Sequence, residues 1–346
     1  MKSIDSPNPT DVNKLFSQET GRIIARWSSV GAVGLFLLIV VGCESERMAR
    51  DRLNPMISLQ EANQPVFGLY APRANPRGGR GASPPNLSEV RTVAELVHET
   101  TNYASSDYVF DSSMERGVER GLPDFLTFMD AMLVSGASAR EHPMVVKMEK
   151  ISEDPDFAIH IGQQLAAGVS GIMFVHVESA EELRNGLAAM RFESDGGTRS
   201  SDVVGSAPKY WGMNEKEYRE RADLWPLDPD GELVNWTVIE SLNGLENIRE
   251  IASVPGIGVL WPGAGTLRGV FSTTGSDGQQ VLDGDAWENA IQTVLSACQE
   301  FDIACGYPAN PNNIELRMDQ GFSVFVMNWG ESGFQTIDMG RRVAGL

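Results

Sequence analysis

Four side chains stand at or just past the ends of apolar runs, where a folded chain commonly places its chemistry. Lys147 lies in MVVKM, His176 and Glu178 end GIMFVHVE, and Glu240 closes VNWTVIE. A glutamate is a hard oxygen ligand for a divalent cation. An imidazole can ligate a metal or act as a base near neutral pH. A lysine supplies positive charge for a substrate carboxylate. Further on, GVLWPGAGTL at 258–267 reads as a buried strand running into a glycine-rich loop. Thr266 offers only a neutral hydroxyl there. Lys147 or Arg268 is expected beside Glu240, because a lone carboxylate in a cleft needs a compensating charge. Plainer readings stand beside these: His176 as a hydrogen-bonded residue with no catalytic duty, and Glu178 as the cap of the next helix.

The elements that must position these residues alternate in type. Strand candidates are 65–70, 107–111, 144–148, 171–177, 234–240, 257–261, 303–308 and 322–328. Each is followed by a helical pattern: 92–101, 122–135, 154–168, 179–191, 244–253, 286–301, 311–320 and 332–344. Pro123 suits a first helical turn, Gly168 a C-cap, and Ser179 with Glu182 a capping box. Eight strand–helix pairs imply an α/β fold, a closed (β/α)8 TIM barrel of parallel strands joined by right-handed crossovers. An open doubly wound sheet is the runner-up, and it lacks a GxGxxG after the first strand. In a barrel the site lies at the strand C-termini. That selects Asp111 to Arg116, Lys147, His176, Glu178, Glu240, residues 262–268, Tyr307 and Asn328.

An insertion at 193–233 carries Tyr210, Trp211, Tyr218 and Trp225. A helix is expected near 214–222, with Asn214 as cap and Glu217 completing the box. The insertion reads as a lid or partner surface, or else as a loop packed on the barrel by its tryptophans. Residues 268–285 read as a mobile Gly/Ser/Asp-rich loop.

At the N-terminus, VGAVGLFLLIVVG at 30–42 is wholly apolar, follows Arg22 and Arg26, and precedes Cys43. One reading is a cleaved export signal whose VVGC leaves Cys43 as a lipidation candidate. The other is an uncleaved anchor at 23–43, lengthened toward the roughly 20 residues a span needs. The organisation expected is a cytoplasmic tail at 1–22, the anchor at 23–43, a linker at 44–64 and the barrel at 65–346. Basic residues before the apolar run place the barrel on the periplasmic side of a bacterial inner membrane. With 28 Lys and Arg against 47 Asp and Glu, the net charge is −19, which excludes nucleic acid as a partner class. Cys298 and Cys305 read as buried free thiols.

Three blocks carry a resemblance: 166–192 (AAGVSGIMFVHVESAEELRNGLAAMRF), 210–233 and 238–267 (VIESLNGLENIREIASVPGIGVLWPGAGTL). They resemble the HpcH/HpaI aldolases, class II metal-dependent barrels acting on pyruvate-type substrates. The likeness covers about 150–345 and, more weakly, 65–150. It implies a divalent cation (Mg2+, Mn2+ or Co2+) held by a Glu and an Asp, an acid/base His and an oxyanion-stabilising Arg. The metal Glu falls on Glu240. The metal Asp falls on Thr266. The His position falls on Met114 or Arg116 within DSSMERG. The Arg position falls near Lys147, which keeps the charge and loses the bidentate fork.

Two functions follow as expectations. The first is a degenerate, non-catalytic barrel without a cofactor. It would be a membrane-tethered accessory subunit of a respiratory, transport or photosynthetic membrane complex, its acidic surface meeting basic patches. The alternative is a metal-dependent carbon–carbon lyase on a 2-oxo acid, with a site rebuilt from Glu240, His176 and Lys147. Homo-oligomerisation is open.

Overall fold

The computed structural model describes residues 51–74, 90–276 and 278–346. The tail 1–22, the anchor 23–43 and Cys43 lie outside the described residues. Among the described residues no helix is long and apolar enough to cross a membrane.

Eight strands form the barrel: β1 (Val66–Tyr70), β2 (Tyr108–Asp111), β3 (Met144–Met148), β4 (Gly171–Phe174), β5 (Leu233–Ile239), β6 (Ile257–Pro262), β7 (Ala304–Pro308) and β8 (Val324–Met327). Each pairs in parallel with the next, and β8 returns to β1, so the ring closes. The open sheet is thereby excluded. All eight expected strands are present, with ends shifted by up to three residues.

Strand alternation divides the core in two. One parity points inward and forms an interior cluster with Tyr108, Phe110, Trp236 and Trp261. The other parity, including Phe67, Leu69, Ile172 and Phe325, meets the helices. Trp236 stacks on Trp261 with centroids 5.3 Å apart and meets the Tyr108 ring edge-on at 5.2 Å. Two interior glycines make room for these rings. A Cβ at Gly68 would lie 2.1 Å from the Tyr108 ring, and one at Gly306 would lie 2.0 Å from the Trp261 ring. Tyr108 donates its hydroxyl proton to the Phe325 carbonyl at 2.6 Å, which satisfies the polar tip of a fully buried ring.

The stretch 51–64 was expected as the end of a linker, and it is folded onto the barrel. Helix α1 (Pro55–Glu61) begins at Asn54, whose side chain accepts from the Met56 N–H. Met56 and Ile57 join the interior cluster and close the strand N-terminal end. Glu232 accepts from the backbone N–H groups of Leu53 (3.1 Å) and Asn54 (2.9 Å). Arg52 donates to Glu61 and to the carbonyls of Pro229 and Gly231. No periodicity marks so short a helix; its anchor is a carboxylate far along the chain.

The insertion 193–233 links the helix Ala180–Met190 to the start of β5, so it lies at the strand N-termini. Tyr210 donates to the His142 carbonyl and Trp211 to the Gly168 carbonyl, both just ahead of strands. It therefore packs beneath the barrel, and the lid reading fails. The capping box at Asn214 and Glu217 forms as expected.

Three smaller expectations are corrected. The helix after β2 runs from Val118 to Val134 with Pro123 inside it. It starts early because Glu149 accepts the Val118 N–H at 2.9 Å. Residues 272–274 and 280–282 form a short antiparallel hairpin. Cys298 and Cys305 are joined in a disulfide between the helix Gly284–Glu300 and β7.

Candidate active site

The strand C-termini open on a cavity of about 180 Å³ lined by Lys147, Glu240 and Thr266, with walls from Tyr70, Phe110 and Trp261. Lys147 sits at an inward position of β3. Its Nζ donates to Glu115 Oε1 at 2.7 Å. Glu115 is carried on the short turn Ser113–Arg116 after β2. Asp111 shapes that turn by accepting from the Ser113 N–H (2.8 Å) and hydroxyl (2.5 Å). Burial pushes the Asp111 carboxyl above its ordinary pKa, and the Ser113 hydrogen bonds oppose the shift. Met114 is fully buried and Arg116 is exposed, and neither lines the cavity. Glu115 between them borders the adjoining cavity of about 470 Å³ with Tyr70, Arg73 and Asn328.

Glu240 follows β5. Its carboxylate lies against the Gly263 backbone, where a Cβ would meet Oε2 at 2.5 Å. His176 Nδ1 stands 3.5 Å from Glu240 Oε1, with the carboxylate side chain 6% exposed and the imidazole 35%. His176 is held at φ 56°, a left-handed conformation that costs energy for a non-glycine residue.

The expected pairing of Glu240 is corrected. Its ionic neighbour is His176, whereas Lys147 is bound to Glu115. Arg268 is exposed and lies over the Trp287 ring, 6.0 Å from its centroid. Thr266 does line the cavity, on the first turn of the helix Ala264–Val270.

Glu178 is not the helix cap. Ser179 caps the helix Ala180–Met190 by accepting from Glu182 N, and Glu182 accepts the Glu178 and Ser152 N–H groups. Glu178 instead accepts from Lys150 Nζ (2.8 Å) and the Ser241 hydroxyl (2.6 Å). These two hydrogen bonds, Lys150 first, hold its carboxyl below the usual range. It thus ties together the loops after β3, β4 and β5.

The donors near Glu240 do not fit the two-carboxylate grip that a hard dication prefers. The set is one carboxylate, one imidazole and a threonine hydroxyl. Among the described residues one group could hold a metal: Glu149, Asp154 and His160, whose ligand atoms lie within 4.8 Å of one another. It stands outside the cavity that holds Glu240, and Asp154 Oδ2 already contacts His160 Nδ1 at 2.7 Å. Sequence reading missed it, since its spacing follows no metal motif.

Residues 137–336 match the HpcH/HpaI aldolase/citrate lyase family. Among curated proteins, the chain is similar to a hydroxypyruvate/pyruvate aldolase of Paraburkholderia phytofirmans, 24% identical over 160 residues, covering 46% of this chain and 57% of that protein. The chain thus spans little more than half the length of that relative. It is also similar to a 2-dehydro-3,6-dideoxy-6-sulfogluconate aldolase of Pseudomonas putida, 24% identical over 228 residues, covering 65% of this chain and 78% of that protein. The fold is shared with a family protein from Burkholderia cenocepacia (TM-score 0.57, 16% identity, 84% of this chain and 98% of that one). It is shared equally with an HpcH/HpaI aldolase from Desulfitobacterium hafniense (TM-score 0.57, 16% identity, 84% and 95%). The matched span covers more than half of the chain, including β3 to β8 and the cavity residues Lys147, Glu240 and Thr266. This chain belongs to the HpcH/HpaI aldolase/citrate lyase family.

Proposed function

We propose that the barrel is a carbon–carbon lyase of the aldolase type, acting on a 2-oxo acid at a site rebuilt around Lys147, Glu115, His176 and Glu240. One observation carries this reading. Lys147 and Glu240 line a single cavity at the strand C-termini, yet each is paired elsewhere, with Glu115 and His176. A cationic group and a carboxylate therefore face one small space with aromatic walls, and His176 stands 3.5 Å from that carboxylate. Lys147 and the Thr266 hydroxyl face the 2-oxo-acid end of the substrate, and His176 with Glu240 moves the proton that bond cleavage requires.

The expectation of a non-catalytic accessory subunit rests on the anchor at 23–43 and on a site read as stripped, with Thr266, Met114 or Arg116, and Lys147 at the positions of the family's Asp, His and Arg. Both curated relatives carry aldolase names, so the lyase reading takes precedence. Attachment through 23–43, a periplasmic location and a basic membrane partner are separate proposals drawn from the sequence.

The test is to incubate the protein with a panel of 4-hydroxy-2-oxo acids and follow pyruvate release through lactate dehydrogenase. Release from at least one acid, lost in E240Q, supports the reading. No release across the panel, together with no binding of pyruvate, returns the protein to the non-catalytic reading.

A further inference from the structure

We propose that Lys147 is a covalent catalyst, condensing through Nζ with the keto carbon of a 2-oxo acid, with Glu115 as the proton acceptor for that amine. The inference rests on the lyase reading and adds a mechanism to it.

Three observations carry it. First, an arginine cannot act as a nucleophile and a lysine can, once its ammonium loses a proton. Second, Lys147 Nζ touches one carboxylate oxygen, Glu115 Oε1, at 2.7 Å. Glu115 is the more open of the two, 40% exposed against 15% for Lys147, so a proton taken from the amine can pass on to water. Third, the donors around Glu240 do not form the carboxylate pair that would polarise a keto group. An aldolase without such a grip needs another electron sink, and a protonated imine is one.

The steps balance. The Lys147 ammonium gives a proton to Glu115, and the neutral amine adds to C2 of the 2-oxo acid. The carbinolamine oxygen takes up protons, the C2–O bond breaks, and one water leaves. The remaining N–H proton keeps the imine cationic. His176, with Glu240 at 3.5 Å, removes the proton of the C4 hydroxyl. The C3–C4 bond then breaks, its electron pair forms the enamine, and the aldehyde departs. Protonation at C3 and addition of one water release pyruvate and restore Lys147.

The test is reductive trapping. The protein is incubated with pyruvate and sodium borohydride, then mapped by mass spectrometry. The expected product is a 1-carboxyethyl group on Lys147, formed equally after EDTA treatment and absent without borohydride. K147R keeps the charge and the Glu115 pair, and it is expected to give no adduct while melting like the wild type. E115Q is expected to trap slower by a factor on the order of 10². Wild-type protein that binds pyruvate or turns over substrate without trapping at Lys147 overturns the covalent step and leaves the lyase reading standing. Neither binding nor turnover overturns both.

Discussion

His176 Nδ1 faces Glu240 Oε1 across 3.5 Å, and His176 does so from a left-handed backbone conformation. The two residues follow the adjacent strands β4 and β5, and Glu240 lines the cavity. Strain of this kind persists where surrounding structure enforces it, and it clusters at functional sites. Asparagine tolerates the same backbone without a titrating ring. H176N is therefore expected to melt within about 2 °C of the wild type. Its kcat/KM for 2-oxo acid cleavage should fall by a factor on the order of 10² to 10⁴. A melting temperature far lower, with activity kept per folded molecule, would make His176 a structural residue only.

Glu240 is a buried carboxylate whose sole ionic neighbour among the described residues is an imidazole. Replacing it with a neutral amide removes the desolvation cost of a buried carboxylate, and the partly exposed His176 is left in contact with water. E240Q should keep or raise the melting temperature while abolishing turnover. Differential scanning calorimetry and the pyruvate-release assay separate the two effects.

Glu178 gives a pH signature. Its folded-state pKa is lowered, first by the Lys150 hydrogen bond and then by Ser241. A depressed carboxylate contributes stability above its unfolded pKa of about 4.3, and that contribution is lost as pH falls through the folded value. The melting temperature of the wild type should exceed that of E178Q at neutral pH. The gap should close progressively as the pH is lowered from about 5. A gap that stays constant with pH would show that Lys150 and Ser241 do not favour the charged form.

Gly306 and Gly68 each face an aromatic ring with no room for a methyl group. G306A and G68A should each lose on the order of 1–3 kcal/mol in urea unfolding, because the rings are locked by the interior stack. Gly269, in the helix Ala264–Val270, has open space around it. G269A should be neutral or gain about 0.5–1 kcal/mol.

Arg52, with its side chain 2% exposed, ties Glu61 at the end of α1 to the segment before β5 and lies 3.8 Å from the buried Glu232 carboxylate. R52A should cost about 3 kcal/mol, since it leaves Glu232 buried with fewer partners. Hydrogen exchange should rise over 53–61 before it rises in the barrel strands.

Much of the fold was legible in the chain, and residue spacing explains why. Val145 and Lys147 alternate with the apolar Met144, Val146 and Met148 of the opposite face, so both layers of β3 are written locally, whereas in β5 the buried polar Asn235 and Thr237 separate Val234, Trp236 and Val238. The capping boxes at Thr92 and Asn214 and the cap at Ser179 are local too, and each marks a helix start. Helix α1 escaped notice because its stability comes from Glu232 and Arg52, whose partners lie far off in sequence.

The amino-acid sequence by itself determined the order of the eight strands and that Lys147, Glu240 and Thr266 stand at strand C-terminal ends. Periodicity and residue type suffice for these, because they depend on neighbours a few positions apart. Tertiary structure decided the rest. It set Lys147 against Glu115, 32 positions away, and His176 against Glu240. It turned Arg268 outward over Trp287, joined Cys298 to Cys305 and sent the insertion beneath the barrel. The first two depend on how closing the ring sets neighbouring strands and their loops side by side, and the disulfide on how the helix Gly284–Glu300 turns back into β7. Register between distant strands is a property of the packed barrel, and no local pattern encodes it.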